Sequence, residues 1–393
     1  MPWKETQVFD ERIRFVHEYQ TGLWTMAGLC REFGISRKTG NKYWKRYQER
    51  GLAGLRDYSR APHRSRHAVS EEKKKEILRL KRRHPTWGAP KLRDWLVNNR
   101  SDQQWPVPST IHELLDRNGL VRRRKQRRRA VPSASPIAPP AGPNDLWCFD
   151  FKGHFKTGRG KRCDPLTGTD AFSRYSLCCK GLESTAYAQG VEAAMLKTFS
   201  EYGLPNRLLS DNGSPFSSIA IGGLSQFSVL LIRLNIRIER IVPGEPQQNG
   251  KHERFHLTLK QDTASPPAET LRSQQRRFDR FQKLYNEERP HESLNGKPPA
   301  SIYVASSRQL PSSLPEIEPP PWAEVRKVQP NGMVSFGAKR FFVSEVLTGE
   351  YVGLLQQSER FWSLRFGPLE LGLYDEATNT LKGHRQLVYV DCE

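Results

Sequence analysis

The chain has 393 residues, with 63 Lys+Arg against 42 Asp+Glu and a formal net charge of +21. That excess calls for a polyanionic partner, nucleic acid or an anionic membrane surface, and a hydrophobic content of 36% excludes a wholly disordered chain. No apolar run nears the roughly 20 residues of a membrane span. The first fifteen residues are charged throughout, unlike a signal peptide, and the six cysteines hold no CxxC pair, which fits a reducing cytoplasm.

The charge is concentrated early, with a net of +18 over residues 1–130 and +3 over the other 263. Phe9, Ile13, Val16 and Tyr19 recur at helical spacing. A second helix is expected over Thr25–Phe33, with Met26, Leu29 and Cys30 inward. Gly34 permits a left-handed turn, and Ser36 can cap a third helix with Tyr43, Trp44 and Tyr47 on its apolar side. The other side of that helix carries Arg37, Lys38, Asn41, Lys42 and Lys45. Helix, Gly-containing turn and basic helix form a helix-turn-helix pattern, whose third helix would enter the major groove of double-stranded DNA. The plainer alternative is a three-helix bundle with a solvated face. Gly40 inside the basic helix goes against the pattern, at a cost of about 1 kcal/mol relative to Ala.

A second helical unit follows. Ile77 and Leu80 mark one helix, and Leu92, Trp95 and Leu96 another. Ser109 is expected to cap a third, with Ile111, Leu114 and Leu115 inward and Gly119 as its stop. A dense basic run, with Arg122, Arg123, Arg124, Arg127 and Arg128, closes the block and reads as a DNA contact, or more blandly as a solvated linker or targeting signal. Proline-rich stretches then divide the chain. The expected layout is a helix-turn-helix domain (1–66), a second helical unit (67–129), a linker (130–144), a core (145–310), a second linker (311–321) and a small β-barrel (322–393).

From Asp145 the pattern turns to strands: 146–155 with Asp150 near its centre, 164–172, 175–180, 206–209 and 236–241. Helices are expected over 184–202, near 224–234, and through Asn249, Gly250 and Glu253. This is an α/β sheet of mixed direction. Asp150 lies among Phe149, Phe151 and Phe155, and Asp211 stands past a strand end before the turn dipeptide Asn212-Gly213. A converging set of acids would need a cation to offset its repulsion. Carboxylates without His/Cys clusters suit two Mg²⁺ or Mn²⁺ ions acting on a phosphodiester. Three glutamates compete for the third place: Glu239 in a strand, Glu245 in a turn, and Glu253 on a helix whose opposite face carries Phe255 and Leu259. The helical geometry favours Glu253, with Lys260 two turns on and placed for a phosphate.

The segments 147–153 (WCFDFKG), 210–216 (SDNGSPF), 246–255 (PQQNGKHERF) and 285–291 (YNEERPH) resemble the DDE transposases of bacterial insertion sequences, which share a retroviral-integrase core of ribonuclease-H-like fold. The resemblance covers about 300 residues. It implies Asp150, Asp211 and Glu253 as the metal-binding triad. It also implies hydrolysis at element ends, then attack of a 3′-hydroxyl on target DNA with no covalent protein–DNA intermediate. Two element ends processed together imply at least a dimer on DNA. Two features depart from the pattern. Asp211 and Glu253 are 42 positions apart, with the extra length placed in 214–234. His252 replaces a small apolar residue, which is harmless if its ring points outward. The 322–393 region alternates as strands, with Val334/Phe336, Phe341/Val343 and Trp362/Leu364/Phe366. A DNA-binding repressor with an inactive core, or a nuclease that cuts without joining, would share many of these features.

Overall fold

The computed structural model describes residues 7–58, 69–121, 137–183 and 188–390. The chain divides into two compact units, Met1–Val69 and Ser70–Glu393. The first holds α1 (Val8–Gln20), α2 (Met26–Glu32) and α3 (Arg37–Arg50) around Phe15, Val16, Leu29, Cys30, Tyr43 and Leu55. Thr25 caps α2 by accepting from the Gly28 amide, and Ser36 caps α3 by accepting from Thr39. Gly34 sits at φ 63° in the turn between α2 and α3.

Gly40 is buried at the crossing of α3 over its neighbours. A Cβ there would lie 2.4 Å from Cys30 Sγ and 3.0 Å from both Met26 Sδ and Phe15 Cζ. The glycine that goes against helix propensity is therefore what lets the three helices close.

The second unit opens with α4 (Glu71–Arg83), α5 (Ala89–Asn99) and α6 (Pro108–Arg117), packed through Ile77, Leu80, Leu92, Leu96, Ile111 and Leu115. Ser109 does not cap α6. The helix begins one residue earlier with Pro108 at its first position, where the missing N–H of proline leaves no helical bond unmade. Gly119 ends it at φ 67°. The three helices dock on the core. Arg83 pairs with Glu288 at 3.0 Å, and Asn98 Nδ2 donates to the Gly296 carbonyl at 2.8 Å.

The core sheet contains β1 (Leu146–Phe151), β2 (Phe155–Lys156), β3 (Arg162–Asp170), β4 (Ser176–Leu182), β5 (Arg207–Ser210) and β6 (Arg237–Arg240). The single strand expected over 146–155 is thus two, separated by Gly153 at φ 80°. β1 runs antiparallel to β3 and parallel to β5, which is parallel to β6, and β4 pairs antiparallel with β3. On one face Trp147, Phe149 and Leu208 join α7 (Ala188–Tyr202) and α8 (Gln226–Arg233) in the main core. On the other face lie α9 (Gly250–Thr263) and α10 (Leu271–Glu287), through Phe255, Leu259, Phe278, Phe281 and Tyr285. The open edge of β4 is satisfied by side-chain amides of α10. Asn286 bonds both the N–H and the C=O of Ser176, and Gln275 bonds the Gly181 amide and the Cys179 carbonyl.

The C-terminal strands are β7 (Glu324–Lys327), β8 (Met333–Phe336), β9 (Lys339–Phe342), β10 (Tyr351–Gln356), β11 (Phe361–Phe366), β12 (Leu369–Asp375) and β13 (Thr380–Tyr389). They do not close into the expected barrel. Five form an antiparallel sheet in the order β13-β12-β11-β10-β7, and β8–β9 is a separate hairpin. The hairpin covers the sheet directly. Phe341 stacks on Tyr374 at 4.1 Å and Phe336 meets Trp362 at 4.8 Å, so apolar surface is buried without joining the two edges. The main core is continuous from Trp147 to Leu354, Leu364 and Phe366 of this sheet. Arg233 of α8 ties the two together by donating to the Pro315 carbonyl and pairing with Glu350. Among the described residues, no helix is long and apolar enough to cross a membrane.

Gly40→Ala is expected to destabilise the N-terminal unit by about 1–3 kcal/mol despite the gain in helix propensity. Chemical denaturation followed by tryptophan fluorescence measures this; unchanged or raised stability would contradict the packing argument.

Candidate active site

Side chains alternate across a strand, and this alternation sets the site. In β1, Trp147 and Phe149 turn into the main core, while Leu146 and Cys148 turn to the opposite face. Asp150 continues the second series. In β5, Leu208 faces the main core and Leu209 shares the cluster of Leu146 and Cys148, so Asp211, two positions after Leu209, continues on that same face. Both carboxylates therefore stand at the carboxyl ends of neighbouring parallel strands, the usual place for a site in an open α/β sheet. The Gly213 amide donates to Asp211 Oδ1 at 3.1 Å, and Asn212 Nδ2 donates to the Ile241 carbonyl at 2.7 Å, anchoring the turn that follows.

Glu253 lies in the first turn of α9, where the helix dipole favours a negative charge. It is exposed, while Phe255 and Leu259 are buried against α10. One turn earlier, Asn249 is 4% exposed and its Nδ2 has no partner among the described residues, leaving a free donor beside the site.

Asp150 is half-buried, and its carboxyl is pushed up to about 7, first by burial and then by the charge of Asp211, with a smaller contribution from Glu253. The structure thus brings the charges of Asp211 and Glu253 to bear on Asp150. The rival glutamates are engaged elsewhere: Glu239 pairs with Arg207 at 2.8 Å, and Glu245 accepts from Gln248 at 3.1 Å. Among the described residues, no three His, Cys, Asp or Glu side chains close into a ready-made metal cage. The donors nonetheless fit a hard divalent cation. They are carboxylate oxygens, and one of them is held at a raised pKa by burial and like charge that a cation would relieve.

His252 does not point outward. It is 1% exposed, with Nε2 2.7 Å from Thr167 Oγ1 and Nδ1 2.8 Å from Thr169 Oγ1. The cause is the sheet: Thr167 and Thr169 lie opposite Asp150 and Cys148 and offer hydroxyls on the face that α9 covers. Burial, then the neighbouring His256, holds the His252 imidazole well below its ordinary range.

Lys260 is exposed on α9, and its charge lowers the pKa of half-buried Lys152, which lies two residues beyond Asp150; burial is the larger cause. Sequence reasoning missed Lys152, Thr167, His252 and His256 as neighbours of the acids. The even spacing of Cys148, Asp150 and Lys152 was the available signal for the lysine. Arg37, Lys38, Asn41, Lys42 and Lys45 are all exposed on α3 in the separate N-terminal unit. Arg122, Arg123, Arg124, Arg127 and Arg128 lie outside the described residues.

Removing the charge at Asp150 gives a signed test in metal-free protein. Its folded pKa lies above the ordinary value near 4, so ionisation is penalised in the fold. Below about pH 4 both states are protonated and the penalty is absent; it grows as pH rises toward 7 and is complete above. Asp150→Asn should therefore stabilise the metal-free chain by on the order of 2–4 kcal/mol at pH 8 and far less at pH 4. Denaturant titrations at the two pH values measure the difference, and an equal effect at both would remove the electrostatic reading.

Comparison with known families agrees with this layout. A helix-turn-helix domain model matches residues 11–66 and a homeodomain-like model residues 39–115. Two integrase core domain models match residues 140–246 and 234–299. An uncharacterised 31.7 kDa protein of insertion element IS407 from Burkholderia multivorans is 26% identical over 198 residues, 49% of this chain and 67% of that protein. An uncharacterised 39.2 kDa protein of IS476 from Xanthomonas euvesicatoria is 26% identical over 233 residues, 58% of this chain and 63% of that protein. The chain thus spans about two thirds of the length of each. The magnesium-bound HTLV-2 integrase catalytic core is similar at 19% identity over 42% of this chain and 99% of its own, with a TM-score of 0.34, too distant to bear on chemistry. Helix-turn-helix models matching ahead of two integrase core models, together with insertion-element proteins as relatives, support an insertion-sequence transposase with an integrase-like core.

Proposed function

We propose that the protein binds the ends of an insertion sequence and performs metal-dependent strand cleavage and strand transfer, with Asp150, Asp211 and Glu253 holding two Mg²⁺ or Mn²⁺ ions. The observation that carries this reading is the carboxyl of Asp150, raised by burial, by Asp211 at the end of the neighbouring parallel strand and by Glu253 on α9. When bound, the ions supply Lewis-acid activation of the attacking oxygen and stabilisation of the leaving one. The water oxygen forms a bond to phosphorus at the element end as the bond to the 3′-oxygen breaks, leaving a 3′-hydroxyl and a 5′-phosphate. That 3′-hydroxyl then attacks a target phosphodiester, with the displaced 3′-oxygen as leaving group. Asp150, Asp211 and Glu253 would hold the ions that receive the reacting phosphate, and Lys260 and Lys152 hold neighbouring phosphates of the strand.

The DNA is held by the basic face of α3 (Arg37, Lys38, Asn41, Lys42 and Lys45), by the second helical unit and by the basic run at Arg122, Arg123, Arg124, Arg127 and Arg128. Two ends must be processed together, so the working species is at least a dimer on DNA. The stretch over 130–144 joins the DNA-binding region to the core.

Glu253→Gln should abolish Mn²⁺-dependent nicking of DNA carrying the flanking element ends, with folding and DNA binding intact, whereas Glu245→Gln keeps most of it. The opposite pattern would reassign the third acid. A wild-type chain that binds these ends yet never cuts them with either ion would be the repressor instead.

A fragment of residues 1–130 should bind duplex DNA by itself, losing about 10³-fold or more in affinity between 50 and 200 mM salt if six or more phosphates are contacted. Electrophoretic mobility shifts across that salt range measure it. Salt-insensitive binding, or none, would remove the assignment.

A further inference from the structure

A buried polar cluster between α9 and β3 belongs neither to the acids nor to the apolar core. Thr167 Oγ1 donates to the Asp150 carbonyl at 3.0 Å and lies 2.7 Å from both His252 Nε2 and His256 Nε2. Thr169 Oγ1 lies 2.8 Å from His252 Nδ1. Thr167 is fully buried and His252 nearly so.

The proton count admits one arrangement. A hydroxyl has one proton and two lone pairs, and a carbonyl can only accept. Thr167 gives its proton to the Asp150 carbonyl, so both lone pairs must receive N–H groups. His252 and His256 therefore both carry their protons on Nε2. His252 Nδ1 is then an acceptor, and the Thr169 hydroxyl donates to it. Every contact in the cluster is satisfied by this assignment and by no other with neutral rings.

The geometry has a mechanical consequence. His252 and His256 are four residues apart and so share one face of α9. Two directional bonds from that face to a single hydroxyl fix the rotation of the helix about its own axis. The apolar contacts of Phe255 and Leu259 are non-directional and hold the helix against α10 without setting that angle. Glu253 leaves the helix one position after His252, about 100° around. The hydroxyl that holds the helix also holds the backbone of Asp150.

We infer that Thr167 is a positioning residue: through His252 and His256 it sets the angle at which the Glu253 helix meets the Asp150 strand, and so the arrangement in which the acids receive a divalent cation. This rests on the proposed function for its consequence, but the clasp itself can be tested independently.

The experiment uses the full-length chain labelled with ¹⁵N-histidine, and Mn²⁺ alone as the metal probe. At neutral pH both rings should appear as Nε2–H tautomers. Thr167→Val keeps the shape and removes the hydroxyl. In a folded variant it should lose the tautomer signature, weaken Mn²⁺ binding about tenfold without DNA, and lower kcat for nicking about 10²-fold with KM for DNA little changed. Thr167→Ser should restore all three. An Nδ1–H tautomer at either ring of the wild type, or wild-type Mn²⁺ affinity in folded Thr167→Val, would overturn the inference. Should Thr167→Val fail to fold, Thr169→Val and Thr167→Ser decide. The first should alter the His252 signals and leave those of His256, and the second should match the wild type; failure of either counts against the clasp. If the wild type itself does not cut DNA, the proposed function fails, while the tautomers and Mn²⁺ affinity still judge the clasp.

Discussion

The parallel pairing of β1 with β5 governs what the rest of the core must do. Cys148 lies beside Leu209 in that pair, and two residues further along each strand comes an aspartate. Because strand side chains alternate, both acids emerge on one face at one end of the sheet. The pairing therefore gathers like charges, and the Asp150 carboxyl is raised first by its burial and then by the charge of Asp211. The remaining elements hold this unfavourable grouping in place. α7, α8 and the C-terminal sheet bury the opposite face, and α10 buttresses α9 so that Glu253 is delivered from a fixed helix.

The burial is lopsided for a reason. The face away from the acids is filled by large apolar side chains, including fully buried Trp147, Phe149 and Phe199. A Cβ on Gly168 would lie 2.5 Å from the Phe149 ring, so the strand behind it must carry a glycine there. The face with the acids instead receives threonine hydroxyls and imidazoles beside them. A polar lining is costly to bury unless every group is partnered, and Thr167, Thr169 and His252 meet that condition together.

Much of this was legible in the sequence where one short-range pattern decided the outcome. Ser36 as a cap, Gly34 as a turn and the apolar side of α3 needed only local chemistry. Asp150, Asp211 and Glu253 stood out because each occupied a strand, a strand end or a helix with a clear inner face. What stayed hidden depends on partners far along the chain. Gly40 looked like a defect because the atoms that exclude a side chain, Cys30 Sγ, Met26 Sδ and Phe15 Cζ, come from other helices. Which way the His252 ring points was not legible because its threonine partners lie 83 and 85 positions away. The C-terminal strands were foreseen as strands, but alternation cannot tell a closed barrel from a sheet covered by its own hairpin. That choice is made by contacts such as Phe341 on Tyr374.

The amides of α10 along β4 limit how copies of this chain can meet. A strand edge with free N–H and C=O groups invites another strand to extend the sheet. Here Ser176, Cys179 and Gly181 already have those bonds from Asn286 and Gln275, and at the far side of the sheet the Ile238 amide is taken by the Tyr389 hydroxyl. Side-chain amides laid along a backbone mimic a neighbouring strand while ending the series, because nothing beyond them repeats the pattern. At these positions the two edges of the core sheet are closed to a strand from another copy.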